Sequence, residues 1–173
     1  MYGSFQQSLG IIPLYFKEAS LTIFRILEVI NDASLKYKGV IPDDCWHEPY
    51  MSEKELINEF IDGVHMFGYQ SNDKLIGVIG IQKVKDVILI RHAYTLTSYQ
   101  GQGTGSLLLE NLLKKNQNSR ILVGTWKKAK WAVQFYEKFG FIIHSKDQST
   151  LLLKKYWKIS SNQINNSVVL EKF

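Results

Sequence analysis

A single mixed α/β domain built on a mostly antiparallel sheet is the fold class the sequence predicts, on three observations. Its 173 residues fit one domain of the usual ~100 to 200 residues and two only awkwardly, so residues 1–173 are expected to share one core and one site. Between residues 64 and 96 three β-rich stretches follow one another with no helix between them, as antiparallel neighbours do. The second half then reads β-α-β-α-β, which lays helices onto the same sheet.

The elements follow in order. Leu21, Ile23, Phe24, Ile26, Leu27 and Ile30 recur mostly at three- and four-residue steps and predict a helix over 21–35 with one buried stripe. Gly39 and Pro42 interrupt it. Ser52, with Glu55 three residues on, forms a capping box ahead of Leu56, Ile57, Phe60 and Ile61, predicting a second helix that ends near Gly63. Residues 64–70 and 75–84 read as strands joined at Ser71-Asn72-Asp73, and 87–96 as a third, buried member of the sheet. Helices are expected over 106–117, 129–139 and 151–159, with strands at 120–124, 141–145 and 167–171. No repeat, linker or low-complexity tract divides the chain.

Composition narrows the function classes. Hydrophobic residues at 45% and charged ones at 21% describe a globular protein with a real core and argue against disorder. Lys and Arg number 21 against 16 Asp and Glu, a net +5, which suits an anionic ligand without a histone-like field. With no recognition helix, RNP-like aromatic run or long basic tract, nucleic-acid binding is not expected. The lone Cys45 forms no intrachain disulfide and no Cys/His cluster has zinc spacing, so no metal is expected and a reducing cytoplasm is the default. Residues 1–20 lack the basic start and apolar run of a signal peptide, and no apolar run nears the ~20 residues of a membrane helix, so the chain is expected to be soluble.

The chemistry concentrates in Gln100-Gly101-Gln102-Gly103-Thr104-Gly105, between an expected strand and an expected helix. There the unpaired N–H groups and the positive end of the helix dipole receive anions, and glycines let the backbone approach a phosphate. An NTPase P-loop needs a Lys after its last Gly, whereas Ser106 follows Gly105 and no basic residue comes before Glu110. A dinucleotide fingerprint needs its third Gly one position later, in a parallel βαβ unit.

Gln100, Gly103 and Gly105 instead match Gln/Arg-x-x-Gly-x-Gly/Ala at a strand-to-helix turn, and in this the chain resembles the GNAT superfamily of acyl-CoA N-acyltransferases. Ala132-Val133-Gln134-Phe135-Tyr136-Glu137-Lys138-Phe139-Gly140-Phe141 looks like the second GNAT signature, A-x-x-F-Y-E-x-x-G-F, and the order of elements is similar over nearly the whole chain. Residues 90–94, 123–126 and the tail look like a little-characterised bacterial-type subgroup. The resemblance implies a central, mostly antiparallel sheet of about six or seven strands flanked by helices, with a strand pair splayed at the coenzyme site.

It further implies acetyl-CoA as cosubstrate, with the pantetheine arm along Tyr94, Thr95 and Leu96 and the pyrophosphate on the loop from Gln100 through Gly101, Gln102, Gly103, Thr104 and Gly105 to Ser106. Tyr136 stands where the family often places the acid that protonates the CoA thiolate. Acid and packing residue stay equal readings for it. An acceptor amine of pKa ~10 must lose a proton before it attacks. His92, with Ile90, Tyr94 and Leu96 in its alternation set, is the candidate base or substrate orienter, against the reading of a half-buried sheet histidine. His65 is a weaker rival. Ala129 stands where many relatives carry Asn, and Val123-Gly124-Thr125-Trp126 lacks the acid some members have. Lys127, Lys128 and Lys130 either meet the 3′-phosphate or solvate a helix start, and Trp46, Tyr50, Trp126 and Trp131 either line an acceptor pocket or fill the core.

The expected function is therefore transfer of an acetyl group to a primary amine by direct attack in a ternary complex, Cys45 lying far from the signatures. A CoA-binding module without turnover is the alternative. The acceptor, a small molecule or a peptide, and the oligomeric state, monomer or homodimer, stay open at this point.

Overall fold

A computed structural model describes residues 10–15 and 20–173, with side chains of the first helix from Thr22 onward. Most of the stretch read for a signal peptide, and the side chain of Leu21, lie outside the described residues. The elements are β1 (Gly10–Leu14), α1 (Ser20–Ser34), α2 (Glu53–Ile61), β2 (Val64–Ser71), β3 (Lys74–Val84), β4 (Val87–Thr95), α3 (Thr104–Lys115), β5 (Ile121–Trp126), α4 (Lys130–Lys138), β6 (Ile142–Ile143), α5 (Lys146–Tyr156), α6 (Ser161–Asn165) and β7 (Ser167–Lys172). They form one sheet in the order β1-β2-β3-β4-β5-β7-β6. Every pairing is antiparallel except β4 with β5. Among the described residues no helix is long and apolar enough to cross a membrane.

Local chemistry explains the main elements. α1 buries Ile23, Ile26, Val29 and Ile30, while Phe24, expected on that stripe, turns outward. The Ser52 capping box closes as expected, with Ser52 Oγ accepting from the Glu55 amide and the Glu55 carboxylate accepting from the Ser52 amide. Asn72 and Asp73 turn between β2 and β3 with φ of 51° and 60°, the doubly left-handed geometry of a tight hairpin.

The structure corrects three expectations. β1, a five-residue strand containing Pro13, adds an edge to the sheet beside β2. The strand expected at 141–145 shrinks to Ile142–Ile143, because the Ser145 hydroxyl caps the next helix by accepting from the Gln148 amide; α5 therefore starts at Lys146 instead of residue 151. The five-residue α6 precedes β7, capped by Ser160.

The core is layered. α1 and α2 pack on β2 and β3 through Ile26, Leu56, Met66 and Val78. α3 and α4 pack on the opposite face through Leu108, Leu109, Val133 and Tyr136 against Ile79, Ile90 and Val123. α5 closes β4, β5 and β7 through Leu153 on Leu89, Leu122 and Val169. Near the end of β7, Glu171 is 2% exposed and satisfied by Arg120 at 2.5 and 3.0 Å and by His144 at 2.6 Å, as a buried carboxylate must be.

Candidate active site

The parallel ladder between β4 and β5 runs only from Ile88–Ile121 to Ile90–Val123. Beyond it β4 stays with β3 and β5 with β7, so the facing edges splay apart as the resemblance implies. A cleft of about 620 Å³ opens at this point. The Leu96 N–H donates to Ile76 O of β3, so strand alternation turns the N–H and C=O of Thr95 toward the open side. There the Gln100 side chain ties the loop to Thr95 O at 3.1 Å.

Two left-handed glycines, Gly101 at φ 76° and Gly103 at φ 89°, swing the chain from the end of β4 into α3, a conformation that costs an L-residue roughly 1–2 kcal/mol. The helix begins at Thr104, two residues earlier than expected. Gly77 makes that approach possible: a Cβ there would lie 2.7 Å from Thr104 Cγ2. Leu107 N is the first α3 amide to bond within the helix, to Gly103 O. The amides of Thr104, Gly105 and Ser106 therefore have no intrahelical partner, and all three residues line the cleft.

His92 sits on a bulge. Val78 pairs with Tyr94 and Gly80 with Arg91, so Ile79 faces both His92 and Ala93, and His92 has φ 48°. The extra residue breaks the alternation used to place His92. Ile90 belongs to the face under α3, whereas Tyr94 and Leu96 belong to the face under α1 and α2. His92 falls on the second face, where its Nε2 lies 3.1 Å from Glu59 of α2. That nitrogen is buried, and its approach to Glu59 is out of line for a directed hydrogen bond. Arg91 Nη2 donates to both Glu59 oxygens, at 2.7 and 2.8 Å. Burial pushes the Glu59 carboxyl up, but His92 and Arg91 beside it prevail and hold it below the usual carboxylate range. Sequence reasoning missed Glu59, although a carboxylate on the stripe of Leu56 and Phe60 was a signal.

Tyr136, on α4, is buried against Phe135 and Phe141. Burial, reinforced by Tyr37, pushes its phenol well above the ordinary value. Tyr37, also missed, stands at the centre of an aromatic wall, its ring 6.5 Å from Tyr94, 5.5 Å from Trp131 and 6.2 Å from Tyr50. Burial raises the Tyr37 phenol to about 12, aided by Tyr50 and opposed by Thr125. Tyr94 is raised by burial first and then by Tyr50 and Tyr37.

The cleft thus brings together His92, Tyr94, Thr95, Gln100, Gly101, Gly103, Thr104, Gly105, Ser106 and Tyr136. Leu96 is not among its walls, being 4% exposed within the α1/α2 core, and Gln102 folds its side chain back onto Ser98 O. Lys127 bonds Asn165 O, and Lys128 and Lys130 are exposed away from the cleft; the lysine of α4 that lines it is Lys138. Trp131 reaches the cleft, whereas Trp126 and Ala129 are buried beside Ile41. His65 is exposed on β2. No group of three or more metal-ligating side chains occurs among the described residues.

No curated protein matches the chain. Among solved structures, PaiA N-acetyltransferase from Thermoplasma acidophilum, in complex with coenzyme A, is 19% identical over 95% of this chain and 98% of that one, with TM-score 0.68. The ribosomal-protein-S18-alanine N-acetyltransferase of Escherichia coli is 16% identical over 95% and 92%, with TM-score 0.65. A GNAT family acetyltransferase from Elizabethkingia anophelis with acetyl-CoA bound is 19% identical over 94% and 96%, with TM-score 0.61. These likenesses concern the fold. Residues 31–151, which hold the splayed strands, the glycine-cornered loop and Tyr136, match the acetyltransferase (GNAT) domain, and the chain belongs to that family of acetyltransferases.

Proposed function

We propose that the protein transfers the acetyl group of acetyl-CoA to an amine by direct attack in a ternary complex. One observation carries this reading: the unpartnered first-turn amides of Thr104, Gly105 and Ser106 stand at the mouth of a cleft between splayed strands. These amides, with the helix dipole behind them, suit a diphosphate. Thr95, its N–H turned to the open edge of β4, suits a peptide-like arm that takes the place of a strand. Bound there, acetyl-CoA supplies an acyl group activated as a thioester.

The remaining steps fall to the side chains. His92, lining the cleft, accepts the proton of the amine or orients it, and Glu59 holds the imidazole in place. With Nε2 turned to Glu59, Nδ1 is the nitrogen left for the cleft. Tyr136, kept protonated by burial, donates toward the departing sulfur. Cys45 lies in a short turn 3.9 Å from Asn162 and outside the cleft walls, which supports direct attack over an acyl-cysteine. Its free thiol agrees with a reducing cytoplasm.

Calorimetry with coenzyme A, followed by thiol release from acetyl-CoA against a panel of amines, tests the reading. Intersecting initial-rate lines are expected. Parallel lines would exclude direct attack, and coenzyme binding without thiol release for any amine would leave a binding module.

A further inference from the structure

The acceptor end of the cleft carries a charge pattern that names a class of amine, an inference that rests on the acetyl-transfer reading above. Among the described residues lining the cleft there is no Asp or Glu; its charged side chains are Lys36 and Lys138, with His92 and the phenols of Tyr37, Tyr94, Tyr99 and Tyr136 the further titratable groups. Glu59, the acid nearest His92, is already spanned by Arg91. Lys138 follows Trp131 by two turns of α4, about 10 Å along the axis, and comes one turn after Phe135, which packs beside Gly105 of the loop, so it stands on the side of the expected coenzyme phosphates. Lys36 belongs to the other end. Its ammonium lies 4.6 Å over the Trp131 ring, and no described carboxylate comes within ion-pair distance of it. Beside it Tyr37 meets Trp131 at 5.5 Å and Tyr94 edge-on at 6.5 Å.

Such a wall offers flat apolar contact and one uncompensated positive charge. An aromatic cage alone attracts cations, but here the Trp131 face is already covered by Lys36, which repels a second cation. A polycationic acceptor would bring its other ammonium groups to a cleft wall with no carboxylate to meet them. An acceptor bearing its own carboxylate would instead form a charge-assisted bond to Lys36 while its body lies along Tyr37. We infer that the acceptor is an amine with an attached carboxylate and a flat apolar body, the chemistry of an aromatic amino acid, and not a polyamine.

The test uses the full chain, first titrated with coenzyme A by calorimetry and then assayed for thiol release with phenylalanine, tryptophan, phenethylamine and spermidine. Each amine is also titrated calorimetrically into the coenzyme-saturated protein. Phenylalanine or tryptophan should bind and turn over with the highest kcat/KM. In Lys36→Glu the ratio of phenylalanine to phenethylamine kcat/KM should fall about tenfold or more, the scale of a lost hydrogen bond between charged groups. Preference for spermidine, turnover confined to amines without a carboxylate, no turnover of any of the four, or an unchanged ratio in Lys36→Glu overturns the inference. Failure to bind coenzyme A refutes instead the transfer reading beneath it.

Discussion

Glu59 of α2 and His92 of β4, far apart in sequence, come within 3.1 Å because the bulge at His92 turns the imidazole onto the α2 face of the sheet. If Glu59 positions His92, Glu59→Gln should lower kcat by roughly tenfold or more, a part of the 10²–10⁴-fold that a positioned base supplies. Coenzyme affinity should be retained. His92→Gln should lower kcat at least as far, and the double variant should be no worse than His92→Gln, since the two act as a unit. Steady-state kinetics with a confirmed acceptor checks this; additive losses would show that the two act independently and that Glu59 does not position His92.

Tyr136→Phe removes only a hydroxyl from a buried ring. We expect kcat to fall by up to ~10²-fold with little change in coenzyme binding, read from thiol release and calorimetry. Since burial raises this phenol, its deprotonation should cause no loss of activity between pH 7 and about pH 10. The reverse pattern, weaker coenzyme binding at unchanged kcat, marks Tyr136 as a packing residue.

The loop glycines differ in their tolerance of a side chain. Gly103→Ala must hold an L-residue at φ 89° and should weaken coenzyme binding by about tenfold through a cost of ~1–2 kcal/mol. Gly105→Ala places a Cβ 3.6 Å from Phe135 and Thr95, an ordinary contact, and should bind nearly as wild type. Calorimetric Kd values separate the two, and equal losses would contradict the conformational account.

Acid should unfold the protein through two ion-paired carboxyls, Glu171 buried and Glu59 partly so. Arg120, with burial opposing and His144 assisting, holds Glu171 below its ordinary 4.5, and Glu59 is likewise depressed. A depressed folded-state pKa adds stability that is fully present above pH 4.5 and is lost as pH falls through the lower folded value. Glu171→Gln, which breaks a buried ion cluster, should cost about 3 kcal/mol at pH 7. Urea unfolding at pH 7 and pH 3.5 should show the gap to wild type narrowing in acid; a constant gap would locate the acid sensitivity elsewhere.

Much of this was legible in the sequence, for physical reasons. β-branched runs marked β2 to β4, and the Ser52/Glu55 pair marked the start of α2. The two GNAT signatures lie at the loop and on α4. β1 was not legible because five residues with Pro13 read as coil until β2 supplies partners, and α6 is too short for any period. The bulge escaped because a histidine, not a glycine, holds the left-handed position. Lys36, Tyr37 and Glu59 each read as ordinary helix-surface or loop residues. What sets them apart is packing between elements, which no local pattern records.

The short run of paired residues 88–90 and 121–123 has a mechanical consequence. In main-chain hydrogen bonds among the described residues it is the only seam joining the β1–β4 half of the sheet to the β5–β7 half, so the unzipped stretch beyond it resembles a slot cut for an eighth strand. An extended guest seated in that slot stitches the halves together, and slowed amide exchange along residues 91–95 would register its arrival before any chemistry begins.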